Sequence, residues 1–145
     1  MRKIITLFIL AIGLISCSSE TDANSGKSGI YGKWNWEGTN GGIAFHLHST
    51  PASTGNSIQL SLNKDNTFSI TKNGKITASG NYDITMQKSI FTGEMEKFIT
   101  CNITENLQEP LDVTIRGIIT NSESNKLEIA ENNPDGIGSG FVRIE

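Results

Sequence analysis

Ile58-Gln59-Leu60-Ser61-Leu62-Asn63-Lys64-Asp65-Asn66-Thr67-Phe68-Ser69-Ile70-Thr71-Lys72-Asn73-Gly74 decides the fold class. Apolar and polar side chains alternate over 58–62 and again over 67–71, the period of a half-buried strand. Between the two runs, 63–66 is a cluster of turn residues. Asn73-Gly74 is a strong two-residue hairpin signal, because both central residues of a type I′ turn take positive φ. This stretch therefore predicts antiparallel hairpins packed by one face.

The rhythm continues outward. Ile76, Ala78 and Gly80, then Tyr82, Ile84 and Met86, alternate beyond the Asn73-Gly74 turn, and Gly80 suggests a bend or bulge. Residues 98–103, 113–119, 127–129 and 140–144 read as further strands, and residues 86–96 carry a weak helical propensity. About eight or nine short strands, with turn residues every 8 to 12 positions, predict an antiparallel barrel or sandwich. One domain is expected over residues 30–145, about 115 residues, near the common domain size.

The N-terminus reads differently. Met1-Arg2-Lys3 precedes an almost wholly apolar run over 4–15, closed by Leu14-Ile15-Ser16-Cys17. A basic start, an apolar stretch of about a dozen residues and a small-residue processing site form a signal peptide. The run is short of the roughly 20 residues a spanning helix needs. The stretch resembles a bacterial lipoprotein signal with its lipobox. The resemblance implies that residues 1–16 are removed and that Cys17 becomes the lipidated first residue, bearing diacylglycerol and an acyl chain such as palmitate. Each buried CH2 contributes about 0.8 kcal/mol, so two or three chains suffice for a lasting anchor. Residues 17–29 follow as a polar tether without a large apolar side chain, and Glu20 and Asp22 lie close behind the cysteine.

The chain is acidic, at net −3, and has no basic patch, which argues against a nucleic-acid partner. It has 2 cysteines. With Cys17 lipidated, Cys101 has no intrachain partner and reads as a small apolar core residue. The histidines, His46 and His48, stand at i, i+2 without a Cys, Asp or Glu at ligand spacing, so no metal site is expected. Glu94 and Glu96 have the same spacing and read as solvated carboxylates. Asp135-Gly136 is a turn without the alternating acidic ligands of a calcium loop. No nucleophile elbow, phosphate loop or His-Glu-x-x-His is present, so neither an enzyme nor a cofactor is expected.

Gly32-Lys33-Trp34-Asn35-Trp36 opens the first strand; Gly41-Gly42-Ile43-Ala44 and Thr50-Pro51-Ala52-Ser53-Thr54-Gly55 follow, and Phe141-Val142-Arg143-Ile144 stands at the end. This order resembles the lipocalin-like small lipoproteins of bacteria, and the Gly-x-Trp with a late Arg is similar to the broader lipocalin signature. The resemblance covers residues 30–145. It implies an all-β fold, an up-and-down antiparallel barrel of about eight strands, with Gly32, Trp34 and Arg143 as structural signature and Arg143 lying across Trp34 at one end. Two departures stand out: no long helix precedes the last strand, and residues 38–57 make a long first loop rich in small side chains.

The expected function is that of a lipid-anchored binding protein of the cell envelope, at the periplasmic or surface face of the outer membrane. It would hold a small apolar ligand inside the barrel. Trp36, Leu60, Phe68, Ile70, Tyr82, Ile84, Phe98, Ile115 and Leu127 are the candidate cavity lining. The same side chains would equally fill a solid core. The alternative is a structural or inhibitory envelope module with a filled barrel that binds a protein or glycan through its rim loops.

Overall fold

A computed structural model describes residues 29–43, 46–106, 111–123 and 125–144. The expected signal peptide, Cys17 and all of the expected tether except Gly29 lie outside the described residues. In chain order the elements are β1 (Gly32–Gly41), β2 (Leu47–Ser49), α1 (Pro51–Thr54), β3 (Ile58–Leu62), β4 (Thr67–Lys72), β5 (Lys75–Lys88), β6 (Met95–Asn106), β7 (Arg116–Asn121), β8 (Lys126–Ala130) and β9 (Ile137–Arg143). Every neighbouring pair is antiparallel, and β9 pairs back onto β1. The result is a closed eight-stranded antiparallel barrel, with β2 as one extra strand. Closure pairs the first and last strands of the barrel, β1 and β9, so neither is left as a sheet edge.

β1 is the seam. One edge follows β9 from Trp34↔Arg143 to Gly41↔Ile137. The other edge pairs with β3 over Gly32–Asn35 and with β2 over Thr39–Gly41. A bulge at Glu37 separates Trp36↔Phe141 from Gly38↔Gly140. It shifts the inward alternation, so that Thr39 turns in beside Ser139. Gly32 has φ 133, a conformation that favours glycine. At the 73–74 turn Asn73 (φ 51) and Gly74 (φ 80) are both left-handed, as a type I′ hairpin demands.

The inward side chains interlock across the strands. Leu60↔Ile70, Leu62↔Phe68, Trp36↔Phe141 and Leu127↔Phe141 are direct cross-strand pairs within one core cluster. Two devices close the ends. At the end where the chain enters, the Arg143 guanidinium lies 4.1 Å over the Trp34 ring. Trp34 Nε1 donates to Ile30 O at 2.9 Å, and Arg143 donates to Gly29 O at 2.6 Å and to Tyr31 O. At the other end, residues 111–115 between β6 and β7 cross the mouth. Val113, Thr114 and Ile115 are buried there. Thr114 N donates to Ser139 Oγ at 2.8 Å, Thr39 Oγ1 donates to Asp112 O at 3.0 Å, and Lys72 pairs with Asp112. The strand expected over 113–119 is therefore shorter: 113–115 serve as a cap and β7 starts at Arg116.

Residues 86–96 form no helix; β5 and β6 run through them as a long hairpin around the 89–94 turn. Its end curls outward. β5 loses its β4 partner after Asn81, and β6 has no β7 partner before Phe98. The turn is tied to the β8–β9 loop, with Ile90 N donating to Asn132 Oδ1 at 2.9 Å and Asn132 Nδ2 donating to Lys88 O at 3.0 Å. The expected long first loop is also partly structured. β1 extends to Gly41, and Thr50 caps α1 reciprocally with Ser53 ahead of Pro51 and the left-handed Gly55.

Candidate functional site

Trp36, Leu60, Phe68, Ile70, Tyr82, Ile115 and Leu127 all enter the core cluster. They meet one another rather than a void. Where the cap meets the barrel, among Ile58, Ile70, Lys72, Thr77, Leu111, Asp112 and Val113, a partly open crevice holds only about 10 Å3. That is the size of a single water probe. Trp36 uses its polar atom inside the fold, with Nε1 donating to Thr39 Oγ1 at 3.0 Å. Tyr82 OH donates to Asn63 O at 2.6 Å, and burial pushes its pKa up to about 12.

Two candidate lining residues lie elsewhere. Ile84 continues the inward face, opposite Ile99, but is 39% exposed, because it lies beyond the last β4–β5 pair and no strand closes around it. Phe98 is buried on the other face. Its neighbour Ile99 takes the inward position, while Phe98 pairs with Ile118 outside the core cluster. The curled hairpin end and the β8–β9 loop cover that side. They leave a pocket of about 360 Å3 among Gln87, Phe98, Arg116, Glu131, Asn132 and Asn133.

A groove of about 410 Å3 runs along the outside of the barrel, crossing β1, β9, β8 and β7. Its floor is made by missing side chains. Gly38 and Gly140 face each other across β1 and β9, and Gly138 lies opposite Asn40. A Cβ at Gly140 would meet nothing within 4 Å, so the floor there is open. β2 and the start of α1 supply one wall, with His48 and Thr50; Thr120 and Glu128 supply the other, and Glu37 of the bulge stands at the rim. Glu128 Oε2 accepts from Thr120 Oγ1 at 3.2 Å, and His48 Nδ1 pairs with Asn40 Oδ1. Two carboxylates, two hydroxyls, an amide and an imidazole thus ring a flat backbone floor. Sequence reading missed this groove. Its visible signal was the recurrence of glycine at alternate positions, Gly138 and Gly140, within an otherwise regular last strand.

His46 and His48 do not come together on a ligand. His46 Nδ1 lies 2.5 Å from Ile43 O, and His48 is engaged with Asn40. Among the described residues no group of three metal-ligating side chains converges. Glu94 is exposed, and Glu96 Oε1 accepts from Thr92 Oγ1 at 2.8 Å within the hairpin turn. Cys101 is free and packs against the core, and burial pushes its thiol up to about 12. Among the described residues no helix is long and apolar enough to cross a membrane. No protein-family model, curated protein or solved structure matches this chain.

Proposed function

We propose that this chain is a lipid-anchored binding module of the bacterial cell envelope, lipocalin-like in architecture, that recognises its partner on the outside of a filled barrel. Cys17 carries the anchor in this reading. The observation that carries it is the contrast between an interior whose candidate lining, Trp36, Leu60, Phe68, Ile70, Tyr82, Ile115 and Leu127, packs into one core cluster and an outer groove of about 410 Å3. A site for a small ligand ordinarily needs several hundred Å3. The interior side chains hold the barrel together, and the surface is left for recognition.

The groove's chemistry suits a polar, extended partner. Carboxylates at Glu37 and Glu128 and hydroxyls at Thr50 and Thr120 match the hydroxyl and amide groups of a glycan strand or an extended peptide. The reading is binding without catalysis. Calorimetry of the host-processed protein with fragments of envelope glycan and with soluble envelope peptides tests it. Gly140→Val places a side chain in the open floor, where a Cβ meets nothing within 4 Å. It is expected to remove most of the affinity while leaving the thermal midpoint in place. Equal binding by wild type and variant overturns the groove, and a lipid-sized mass co-purifying inside the barrel overturns the filled-core reading.

A further inference from the structure

We infer that the pocket between the curled β5–β6 hairpin and the β8–β9 loop, lined by Phe98 and Arg116, binds a monosaccharide-sized acidic sugar by its carboxylate. The pocket shares no lining residue with the groove across β1, β9, β8 and β7, so the inference stands or falls apart from that groove and from the anchor.

Three strands bring the lining together on the outer face of the barrel. Phe98 of β6 lies directly across from Thr85 on one side and from Ile118 on the other. Gln87 of β5 and Arg116 of β7 are its diagonal neighbours, within reach of long side chains. The β8–β9 loop supplies the remaining wall, and two glycines set its place. A Cβ at Gly117 would stand 2.1 Å from Ala130 O and 3.0 Å from Glu131 N, so the start of β7 lies hard against the start of that loop. A Cβ at Gly136 would stand 2.8 Å from Glu131 Cβ, so the loop closes tightly on itself. Glu131 N donates to Ile137 O at 3.0 Å, and Gly136 N donates to Asn133 O at 3.1 Å. The two hydrogen bonds of Asn132 to the hairpin turn fix the loop from its other side. The fold therefore holds the walls in place, which lowers the ordering cost of binding.

The chemistry of the lining selects the ligand. Arg116 is exposed, and among the described residues its guanidinium has neither a hydrogen bond nor an ion pair. A lone surface arginine is ordinary. This one stands in a concave pocket of about 360 Å3, at the low end of the roughly 300–1,000 Å3 of small-ligand sites. A guanidinium offers its planar fork to a carboxylate in two parallel hydrogen bonds. Glu131 lines the same pocket without pairing with Arg116; its Oε2 accepts from Ile137 N at 3.2 Å and from Asn133 Nδ2 at 3.4 Å. That oxygen is already committed to two N–H donors, so the pocket is not built around an ammonium. Glu131, with Glu96 directly across from Gln87 on the same face, disfavours the second charge of a phosphate dianion. The Gln87 carboxamide, the amide oxygen of Asn133 and Oε1 of Glu131 suit hydroxyl groups. Phe98, the aromatic member of the lining, offers an apolar surface to the C–H face of a sugar ring.

Calorimetric titration of the host-processed protein with glucuronate, galacturonate and N-acetylmuramate tests the inference, with glucose, alanine and inorganic phosphate beside them. At least one acidic sugar is expected to bind saturably, and the other three probes about tenfold more weakly or not at all. Arg116→Gln should cost about tenfold or more in affinity for that sugar and leave the thermal midpoint in place. Arg116→Lys should restore part of the loss, because an ammonium keeps the charge without the fork. Lys97→Gln removes a charge from the opposite face of β6 and should bind as wild type does. Absence of binding by all three acidic sugars overturns the inference. So does equal affinity of wild type and Arg116→Gln, or an equal loss in Arg116→Gln and Lys97→Gln. Glucose, alanine or phosphate binding as tightly as the best acidic sugar overturns the ligand class.

Discussion

Trp34 is fully buried and has both its indole N–H and its ring face occupied, by Ile30 O and by Arg143. Trp34→Ala removes the ring and strands the guanidinium, whose own two carbonyl partners fix the chain's entry. The expected loss is about 3–5 kcal/mol for a buried aromatic, read by denaturant unfolding. Cys101 gives a pH prediction. Its folded pKa of about 12 stands above its ordinary value of 9.0, so the unfolded chain releases the proton first. The stability tied to the neutral thiol is whole below pH 9 and is lost as pH rises through about 12. Tyr82 adds a loss with the same sign above pH 10. The unfolding midpoint should therefore fall across this alkaline range, and Cys101→Ser should flatten the part that begins near pH 9. The inward residues of β3 and β4 were legible from alternation alone. Phe98 was not, because Phe98-Ile99 is an apolar doublet and either parity satisfies the pattern. Ile84 has the right parity, but alternation carries no information on where the neighbouring strand ends.

At the level of elements, glycines separate close approach from open surface. A Cβ at Gly80 would stand 2.1 Å from Asn102 O, where β5 bulges against β6. One at Gly140 would meet nothing within 4 Å. Gly80→Ala must push two strands apart and should lower the thermal midpoint by several degrees, whereas Gly140→Ala should leave it unchanged; calorimetry of the two variants checks the contrast. The bend at Gly80 and the hairpin at Asn73-Gly74 could be read from sequence, since each rests on a local backbone rule. Helix α1 carried its signature too: Thr50 and Ser53 as a capping box, Pro51 in the first turn and Gly55 beyond. The segment looked like loop because the helix is a single turn, too short to show a 3.6-residue period. Strand β2 is three residues long and paired only to the upper half of β1, and nothing within it marks that pairing.

For the whole molecule, strand count and turn spacing pointed to a barrel or sandwich, and the Gly-x-Trp with its late Arg selected the barrel. The groove was less legible, because it is built from side chains that are absent and from a wall brought in by β2. The cap over residues 111–115 resembles a strand in composition, Val-Thr-Ile, and is held out of the sheet by Ser139 and Thr39. Those two residues also show what the seam costs in time. Thr39 and Ser139 touch across 100 positions of sequence, and the β1–β9 ladder around them closes the cylinder. Such a closing contact has almost the largest loop entropy this chain can present, so barrel completion is a late event on the millisecond-to-second scale usual for non-local β folds. Until then β1 and whichever strand is the last formed expose adhesive edges. The vulnerable interval, and with it the chance of edge-to-edge association with another chain, lasts until β9 arrives.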